Sequence, residues 1–233
     1  MRMNKTGFCK WMVCLTPMVL ADAAMATIFI LQPTDDAYVG TRFQWPAVNP
    51  NYYAYGTRTY MDNYSYNSGG NYQYYYSFLK FDLSTLPSNT IIESAVLHLR
   101  GFDGSYLYPT SIARMTSDSW TEDTISWNTQ PSAGAGLADE TSWTTDNGTF
   151  WMTRELNIAA WSYADDVQDN AVTLRLTRSL DSTTASYRTS EYGVGSIPYL
   201  ELSVVPEPGA AGLLLTGGYG LMCSLRRRRA SRC

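Results

Sequence analysis

Short segments in which apolar and polar residues alternate make up most of the chain between residues 27 and 204. A period of two is typical of β-strands that bury one face, whereas helices repeat with a period of 3.6. Turn-forming residues separate the segments, and no long helical periodicity appears. The pattern predicts an all-β domain, most simply a jelly-roll-like β-sandwich. The predicted strands are residues 27–31, 36–39, 74–82, 91–100, 112–115, 151–156, 172–176 and 200–204.

The alternation also assigns side chains to faces. In residues 74–82 it places Leu79 and Phe81 on one face and Tyr74, Tyr76 and Phe78 on the other. In residues 91–100 the apolar set is alanine and leucine at alternate positions, opposite valine, histidine and arginine. Each strand is therefore expected to bury one row of side chains and to present the other row outward.

Three connections carry further expectations. Residues 120–131 hold Trp120 and Trp127 among polar residues. We expect an ordered loop whose tryptophans plug the edge of the core and have partnered indole N–H groups. Residues 132–147 are rich in glycine, alanine and threonine and are predicted to be loop. Asn157 is a suitable N-cap for one or two helical turns, with Ile158 and Trp161 packing inward.

Tyrosine is concentrated near the start of the domain. Eleven of the 18 tyrosines lie between residues 38 and 76, among asparagine, serine and glycine. Tyrosine offers a large amphipathic surface at low entropic cost, and its face can stack on the apolar C–H patches of a sugar ring. The alternative is that these tyrosines simply favour half-exposed strands. The candidate glycan-binding residues are Tyr53, Tyr55, Tyr64, Tyr66, Tyr72 and Tyr74.

The first 26 residues predict a secretory signal peptide. Lys5 and Lys10 precede a mostly apolar stretch, residues 11–20, and Ala24 and Ala26 form an Ala-x-Ala cleavage site. We expect export through the Sec translocon and cleavage after Ala26. An N-terminal anchor is the alternative, although ten residues are too few to span a bilayer.

The last 29 residues have three parts in a fixed order. A Pro-Glu-Pro motif is followed by seventeen uncharged residues, 209–225, and then by four consecutive arginines. Seventeen residues lie at the short end of the roughly 17–25 that span a bilayer, and the arginines would keep the C-terminus in the cytoplasm. The alternative is a buried C-terminal helix.

This order resembles the PEP-CTERM sorting signal of Gram-negative bacteria. The resemblance implies recognition by an exosortase, a membrane protease-transpeptidase that cuts near the Pro-Glu-Pro motif. The chain then divides into a signal peptide (1–26), a β-sandwich domain (27–204) and a sorting or anchor segment (205–233). The residues that carry the sorting signal are Val205, Pro206, Glu207, Pro208, Arg226, Arg227, Arg228 and Arg229.

Charge and cysteine content narrow the possible partners. Residues 27–204 contain nine basic and nineteen acidic residues, a net charge of −10, which argues against nucleic acid and against the binding of acidic polymers by bulk attraction. That charge is compatible with neutral glycans and with calcium. Since the four cysteines are Cys9, Cys14, Cys223 and Cys233, the domain has no disulfide to stabilise it.

Catalytic signatures are weak. His98 is the only histidine, no Gly-x-Ser-x-Gly elbow is present, and no carboxylate pair is singled out by spacing. No catalytic residue is therefore assigned, and zinc is not expected.

Calcium takes oxygen ligands. One hypothesis is a structural calcium site that uses Asp36 near the first strand and Glu191 near the last, and the alternative is that these acids are solvated.

Several segments resemble one known family. These are Phe-Leu-Lys-Phe-Asp-Leu-Ser-Thr-Leu-Pro (78–87), Ile-Glu-Ser-Ala-Val-Leu-His-Leu (92–99) and Trp-Thr-Glu-Asp-Thr-Ile-Ser-Trp-Asn-Thr-Gln-Pro (120–131), with Ser-Glu (190–191) and Pro-Tyr-Leu (198–200). Together they resemble the DNRLRE domain, also called disaggregatase-related and allied to carbohydrate-binding modules of family 96. The resemblance spans residues 35–204. It implies a jelly-roll β-sandwich that binds polysaccharide or serves as a surface module.

The expected function is that of an exported, non-catalytic polysaccharide-binding module sorted by exosortase. Its expected location is the cell envelope, cell surface or extracellular matrix of a Gram-negative-type bacterium. Two alternatives remain open at this point: a structural matrix protein without a specific ligand, and a polysaccharide-degrading enzyme.

Overall fold

The computed structural model describes residues 25–43, 53–54, 58–68, 71–87, 90–102, 108–141, 143–145, 150–178 and 184–206. Nearly all regular structure in these ranges is β-strand, which confirms the all-β prediction. In chain order the elements are β1 (Thr27–Leu31), β2 (Pro33–Phe43), β3 (Tyr53–Ala54), β4 (Tyr60–Ser68), β5 (Asn71–Asp82), β6 (Thr90–Arg100), β7 (Thr110–Met115), β8 (Ala133–Thr141), β9 (Thr144–Thr145), β10 (Trp151–Glu155), α1 (Tyr163–Asp169), β11 (Ala171–Thr177), β12 (Thr184–Arg188), a 3-10 helix (Ser190–Tyr192) and β13 (Tyr199–Pro206).

The strands form two antiparallel sheets. Sheet A has the order β1-β13-β6-β10-β9, and sheet B has the order β12-β4-β5-β11-β7-β8, with β2 and β3 also belonging to it. Strand β5 is the centre of sheet B. It pairs with β2 along most of its length and, on its other side, with β4 near its start and β11 near its end. The first and last strands, β1 and β13, are neighbours in sheet A.

One hydrophobic core lies between the sheets. Leu97 and Leu99 of β6 and Leu200 of β13 come from sheet A, and Leu79 and Phe81 of β5 come from sheet B. All five are fully buried, and in each strand they occupy alternate positions of a single face, as the sequence predicts. Burial of such rows on two facing sheets is what makes the fold a β-sandwich.

A second, smaller core lies on the outer face of sheet B. Phe78, Val39 and Met115 project outward from β5, β2 and β7, and the connection between β7 and β8 covers them with Trp120 and Ile125. The expected ordered loop is therefore present, but only Trp120 is buried, whereas Trp127 is partly exposed. It covers an outer sheet face, whereas the sequence suggested the edge of the main core.

Residues 133–141, which we predicted to be loop, are strand β8. β8 pairs with β7 at the edge of sheet B with several shifts in register, and Leu137 is its one fully buried large side chain among those described. Glycine and alanine disfavour strands intrinsically, but backbone pairing with β7 outweighs that preference in β8. Composition alone was misleading here.

The helical segment begins later than predicted. Asn157 Oδ1 accepts a hydrogen bond from the Ala159 N–H at 3.1 Å, but it caps only a turn, and α1 starts at Tyr163. Trp161 is buried as expected, and its indole N–H donates to the fully buried Asp166 of α1. Arg114 of β7 also donates to Asp166, from Nε at 2.7 Å. This buried ion pair fixes α1 against the sandwich, and removing either partner would leave an uncompensated charge.

The last strand continues beyond its predicted end at Val204. Val205 and Pro206 pair with Ile91 and Thr90 of β6, after a register shift at Ser203. The segment from Glu207 to the end, with the predicted span 209–225, lies outside the described residues, as does the predicted signal peptide up to Ala24. In the part that is described, no helix has the length and apolar character needed to cross a membrane.

Gly40 of β2 is a point of close approach. A Cβ added there would lie 2.1 Å from Cδ1 of Tyr75, which stacks edge-on against Tyr38 at 5.8 Å. We expect Gly40→Ala to displace the Tyr75 ring and to destabilise the domain by about 1–3 kcal/mol. That corresponds to a fall in Tm of roughly 5 °C.

The matched control is Gly136→Ala in β8, where an added Cβ would meet no atom within 4 Å. Thermal unfolding followed by circular dichroism compares the two variants. Equal melting temperatures for both would show that Tyr75 moves without loss and would contradict the prediction.

Candidate functional site: an aromatic platform on sheet B

Three aromatic rings cluster on the outer face of sheet B. Tyr74 and Tyr76 project from β5, and Trp127 reaches them from the β7–β8 connection. The Trp127 ring lies 6.4 Å from Tyr74 with an interplanar angle of 18°, and 4.9 Å from Tyr76 with an angle of 38°. All three side chains are partly exposed. We call Tyr74, Tyr76 and Trp127 the aromatic platform.

The platform forms because the side-chain alternation of β5 and the path of the β7–β8 connection bring the three rings to the same place. The period of two in β5 turns Tyr74 and Tyr76 to the same side as Phe78, away from the main core. The β7–β8 connection is held over that side by Trp120, whose indole N–H donates to Thr173 Oγ1 at 2.8 Å. The rings of Trp120 and Phe78 pack edge to face, with their centres 6.0 Å apart. One tryptophan thus anchors the connection, and the other stands at its exposed end.

Hydrogen bonds within the connection hold Trp127 in place. Ser126 N–H donates to Thr129 Oγ1 at 2.9 Å, and the Gln130 N–H donates to the Ser126 carbonyl at 2.9 Å. The Gln130 side chain donates to the carbonyl of Trp127 at 2.8 Å. A ring held before its ligand arrives loses little conformational entropy on binding.

Arg175 of β11 places a positive charge at the platform. Its guanidinium carbon lies 5.0 Å from the centre of the Tyr76 ring, a cation–π contact. Burial lowers the pKa of Arg175 and raises the pKa of Tyr76. Within the described ranges, Arg175 has no carboxylate partner at ion-pair distance. Its Nε–H is buried and has no hydrogen-bond partner among the described residues.

The structure divides the predicted glycan-binding tyrosines between two faces. Tyr64 and Tyr66 of β4 stack with each other at 6.4 Å and 6°. In the β4–β5 register Tyr64 is opposite Tyr75, and Ser65 is opposite Tyr74. Because faces alternate, Tyr64 and Tyr66 lie on the side away from Tyr74. Only the backbone of Tyr53 and Tyr72 is described, and Tyr55 lies outside the described residues.

Tyr76 and Trp127 are not among the binding residues predicted from the sequence. The sequence predicts Trp127 at the edge of the core and assigns Tyr76 only to one face of its strand. Both become candidates because the β7–β8 connection crosses sheet B where β5 presents its tyrosines. Contact between residues about 50 positions apart in the chain leaves no periodic signal in either segment.

The structure brings the predicted metal residues, Asp36 and Glu191, close together. Asp36 of β2 is fully buried, and its Oδ2 accepts a hydrogen bond from the Ser190 N–H at 2.8 Å. Its Oδ1 is buried and finds no hydrogen-bond partner among the described residues. Burial, and then the negative charge of Glu191, raise the pKa of Asp36 to about 7.

Other acids surround this pair. Burial raises the pKa of Glu122, and the charges of Glu191 and Asp35 add to that effect. Asp35 forms an ion pair with Lys80, whose Nζ lies 2.7 Å from Asp35 Oδ2. Across the described residues, no three His, Cys, Asp or Glu side chains are arranged to hold a metal ion. A cation at Asp36 and Glu191 would therefore need backbone oxygens or water as further ligands.

The family comparison agrees with the extent of this fold. Residues 27–204 match the model of carbohydrate-binding module family 96. A search of curated proteins gave no significant match. The matched range begins at the first residue of β1 and takes in both sheets, both cores and the aromatic platform. Because the family model covers well over half of the chain, this protein belongs to carbohydrate-binding module family 96.

Proposed function

We propose that this chain is a non-catalytic polysaccharide-binding module whose ligand lies on the aromatic platform. The observation that carries the proposal is the stack of Tyr74, Tyr76 and Trp127 on an outer sheet face of a carbohydrate-binding module. Sugar rings have apolar C–H faces that fit aromatic rings, and their hydroxyl groups need donors and acceptors. Arg175 supplies donors beside the rings.

Binding is tested with a panel of soluble polysaccharides in affinity gel electrophoresis. The panel contains mixed-linkage glucan, xylan, galactomannan and polygalacturonate, so that neutral and acidic chains are both represented. Residues 27–206 are used because the described cores lie between Leu31 and Val204. Retarded migration on at least one polysaccharide is expected. Unchanged migration on all of them would favour a structural matrix role, and release of shorter sugars would indicate an enzyme.

We propose further that the protein is exported and then sorted to the cell surface or matrix. The signal-peptide pattern of residues 1–26 and the PEP-CTERM-like order of residues 205–229 support this. The Sec translocon and an exosortase are the implied partners. Expression with and without a working exosortase tests the proposal by mass spectrometry of the released protein. Full-length protein retained in the inner membrane in both strains would contradict it.

A structural calcium ion bound by Asp36 and Glu191 is the third proposal. It rests on a carboxylate that is fully buried, has one oxygen without a hydrogen-bond partner among the described residues, and lies beside a second acid. Calcium would neutralise both charges and join β2 to the segment that precedes β13. Since the domain has no cysteine, such a link would replace the cross-link that a disulfide provides in other exported domains.

A further inference from the structure

A second group of aromatic rings lies on the outer face of sheet A. Tyr199 of β13 stacks on His98 of β6 at 4.1 Å and 12°, and Trp151 of β10 lies 5.4 Å from Tyr199 at 60°. The three strands are neighbours in the sheet. In each of them the adjacent residue, such as Leu97 or Leu200, faces the main core. We call Trp151, His98 and Tyr199 the sheet A strip.

Polar groups lie along the strip. Glu201 Oε2 is 3.3 Å from His98 Nε2. Beyond His98 on the same strand, Arg100 donates to the Gly195 carbonyl at 3.0 Å and to Ser196 Oγ at 2.9 Å. Although β6 separates their strands, the ring centres of Trp151 and Tyr199 are only 5.4 Å apart, so the three rings form one compact group. Rings beside a carboxylate and an imidazole suit a ligand that has both apolar faces and hydroxyl groups.

The edge strand of sheet A, β1, also has exposed apolar side chains on the outer face. Ile28 and Ile30 of β1 are 62% and 64% exposed, and Ile30 is opposite Glu201 in the β1–β13 register. Isolated exposed apolar residues are common on protein surfaces. Here they lie on the same outer face as the rings, opposite Ser203 and Glu201, which are four and two residues along β13 from Tyr199. The outer face of sheet A therefore presents two well-exposed apolar side chains as well as the three rings.

The sheet A strip and the aromatic platform point in opposite directions. The inner faces of the two sheets meet in the main core, so their outer faces lie on opposite sides of the sandwich. Packed sheets are about 10 Å apart between backbones, and side chains add to that separation. A short oligosaccharide cannot lie on both surfaces at once.

We propose that the sheet A strip is a second polysaccharide-binding surface, so that one molecule binds two chains and cross-links them. The proposal rests on the proposed function, because the same ligand chemistry is assigned to both faces. Two modest sites on one rigid body give avidity on a dense polysaccharide without any new contact. A cysteine-free, compact module of this kind would join strands of a matrix as well as attach to them.

The test separates binding from cross-linking. Turbidity and sedimentation of the four panel polysaccharides measure cross-linking, and affinity electrophoresis measures binding. Light scattering of the protein alone checks that it is monomeric, since a dimer would cross-link with one site per copy. The double variant Trp151→Ala/Tyr199→Ala is expected to keep binding, with severalfold weaker retardation, and to lose turbidity. Trp127→Ala should have the same effect from the other face.

Tyr192→Ala is the control, because Tyr192 is 45% exposed and belongs to neither surface. Unchanged turbidity and binding in the Trp151→Ala/Tyr199→Ala variant would overturn the second site and leave the proposed function intact. Loss of all binding in Trp127→Ala alone would do the same. If the unaltered domain binds none of the four polysaccharides, the proposed function and this inference both fail.

Discussion

Trp127→Ala is expected to weaken polysaccharide binding at the aromatic platform by roughly 10- to 100-fold. Trp127 contacts both Tyr74 and Tyr76, so its loss removes the centre of the stacking surface. Truncating a central aromatic residue of an interface typically weakens binding by about 2 kcal/mol or more, and each 1.4 kcal/mol is about tenfold in affinity. Isothermal titration with the best polysaccharide from the panel measures the change in the Trp151→Ala/Tyr199→Ala background, where the platform is the only proposed surface left intact.

Two further variants show whether the loss of affinity comes from the missing Trp127 ring. Trp127→Phe keeps a smaller ring and is expected to lose less affinity than Trp127→Ala. Tyr192→Ala removes an exposed ring that contacts Arg188, at 3.6 Å, outside the platform. It should bind as the unaltered domain does. Because Trp127 also packs on the second core, the melting temperature of each variant is measured first. Equal loss of affinity in Trp127→Ala and Tyr192→Ala would contradict the assignment of the platform.

Removal of calcium is expected to lower the stability of the domain at pH 8, and Asp36→Asn is expected to abolish that response. Calcium bound by Asp36 and Glu191 would stabilise the folded chain only, so EDTA should lower Tm. The amide of asparagine carries no charge to attract the ion. Differential scanning calorimetry in calcium and in EDTA compares the two proteins. An unchanged Tm for the unaltered domain would refute the calcium site.

In EDTA, the buried carboxyl group of Asp36 is expected to make the domain less stable as the pH rises. The pKa of Asp36 is raised from 3.8 to about 7 in the folded domain, so at intermediate pH the folded chain holds a proton that the unfolded chain has lost. The resulting stabilisation is fully present below about pH 4 and is lost as the pH rises through 7. The change in pKa corresponds to about 4 kcal/mol.

Comparison with Asp36→Asn isolates this contribution. Burial also raises the pKa values of Asp62 and Asp118, which act in the same direction, but these groups are present in both proteins. We expect the Tm of the unaltered domain in EDTA to rise as the pH falls from 8 to 5, and the Tm of Asp36→Asn to rise less. Parallel profiles would show that Asp36 ionises normally in the folded domain.

The predictions for Trp127 and Asp36 depend on contacts between distant segments, whereas the strands themselves follow from local pattern. Leu97, Leu99 and Leu200 could be assigned to the core because a strand alternates its faces, and this is a property of the backbone. The same rule placed Tyr74 and Tyr76 opposite Leu79. It failed for β8, where pairing with β7 overrides a glycine- and alanine-rich composition, and for α1, where Asn157 caps only a turn.

The all-β fold, the two alternating rows of each strand and the family resemblance follow from the sequence alone, which leaves two interpretations of Asp36 and Glu191, a calcium site or solvated acids. Which aromatic rings share a surface depends on tertiary contacts. Trp127 meets Tyr74 and Tyr76 because the β7–β8 connection folds over the outer face of sheet B, and Trp151 meets Tyr199 because β6 brings β10 and β13 together. Alternation specifies the face on which a residue lies. Its neighbours on that face depend on strand order and loop path, which non-local packing selects.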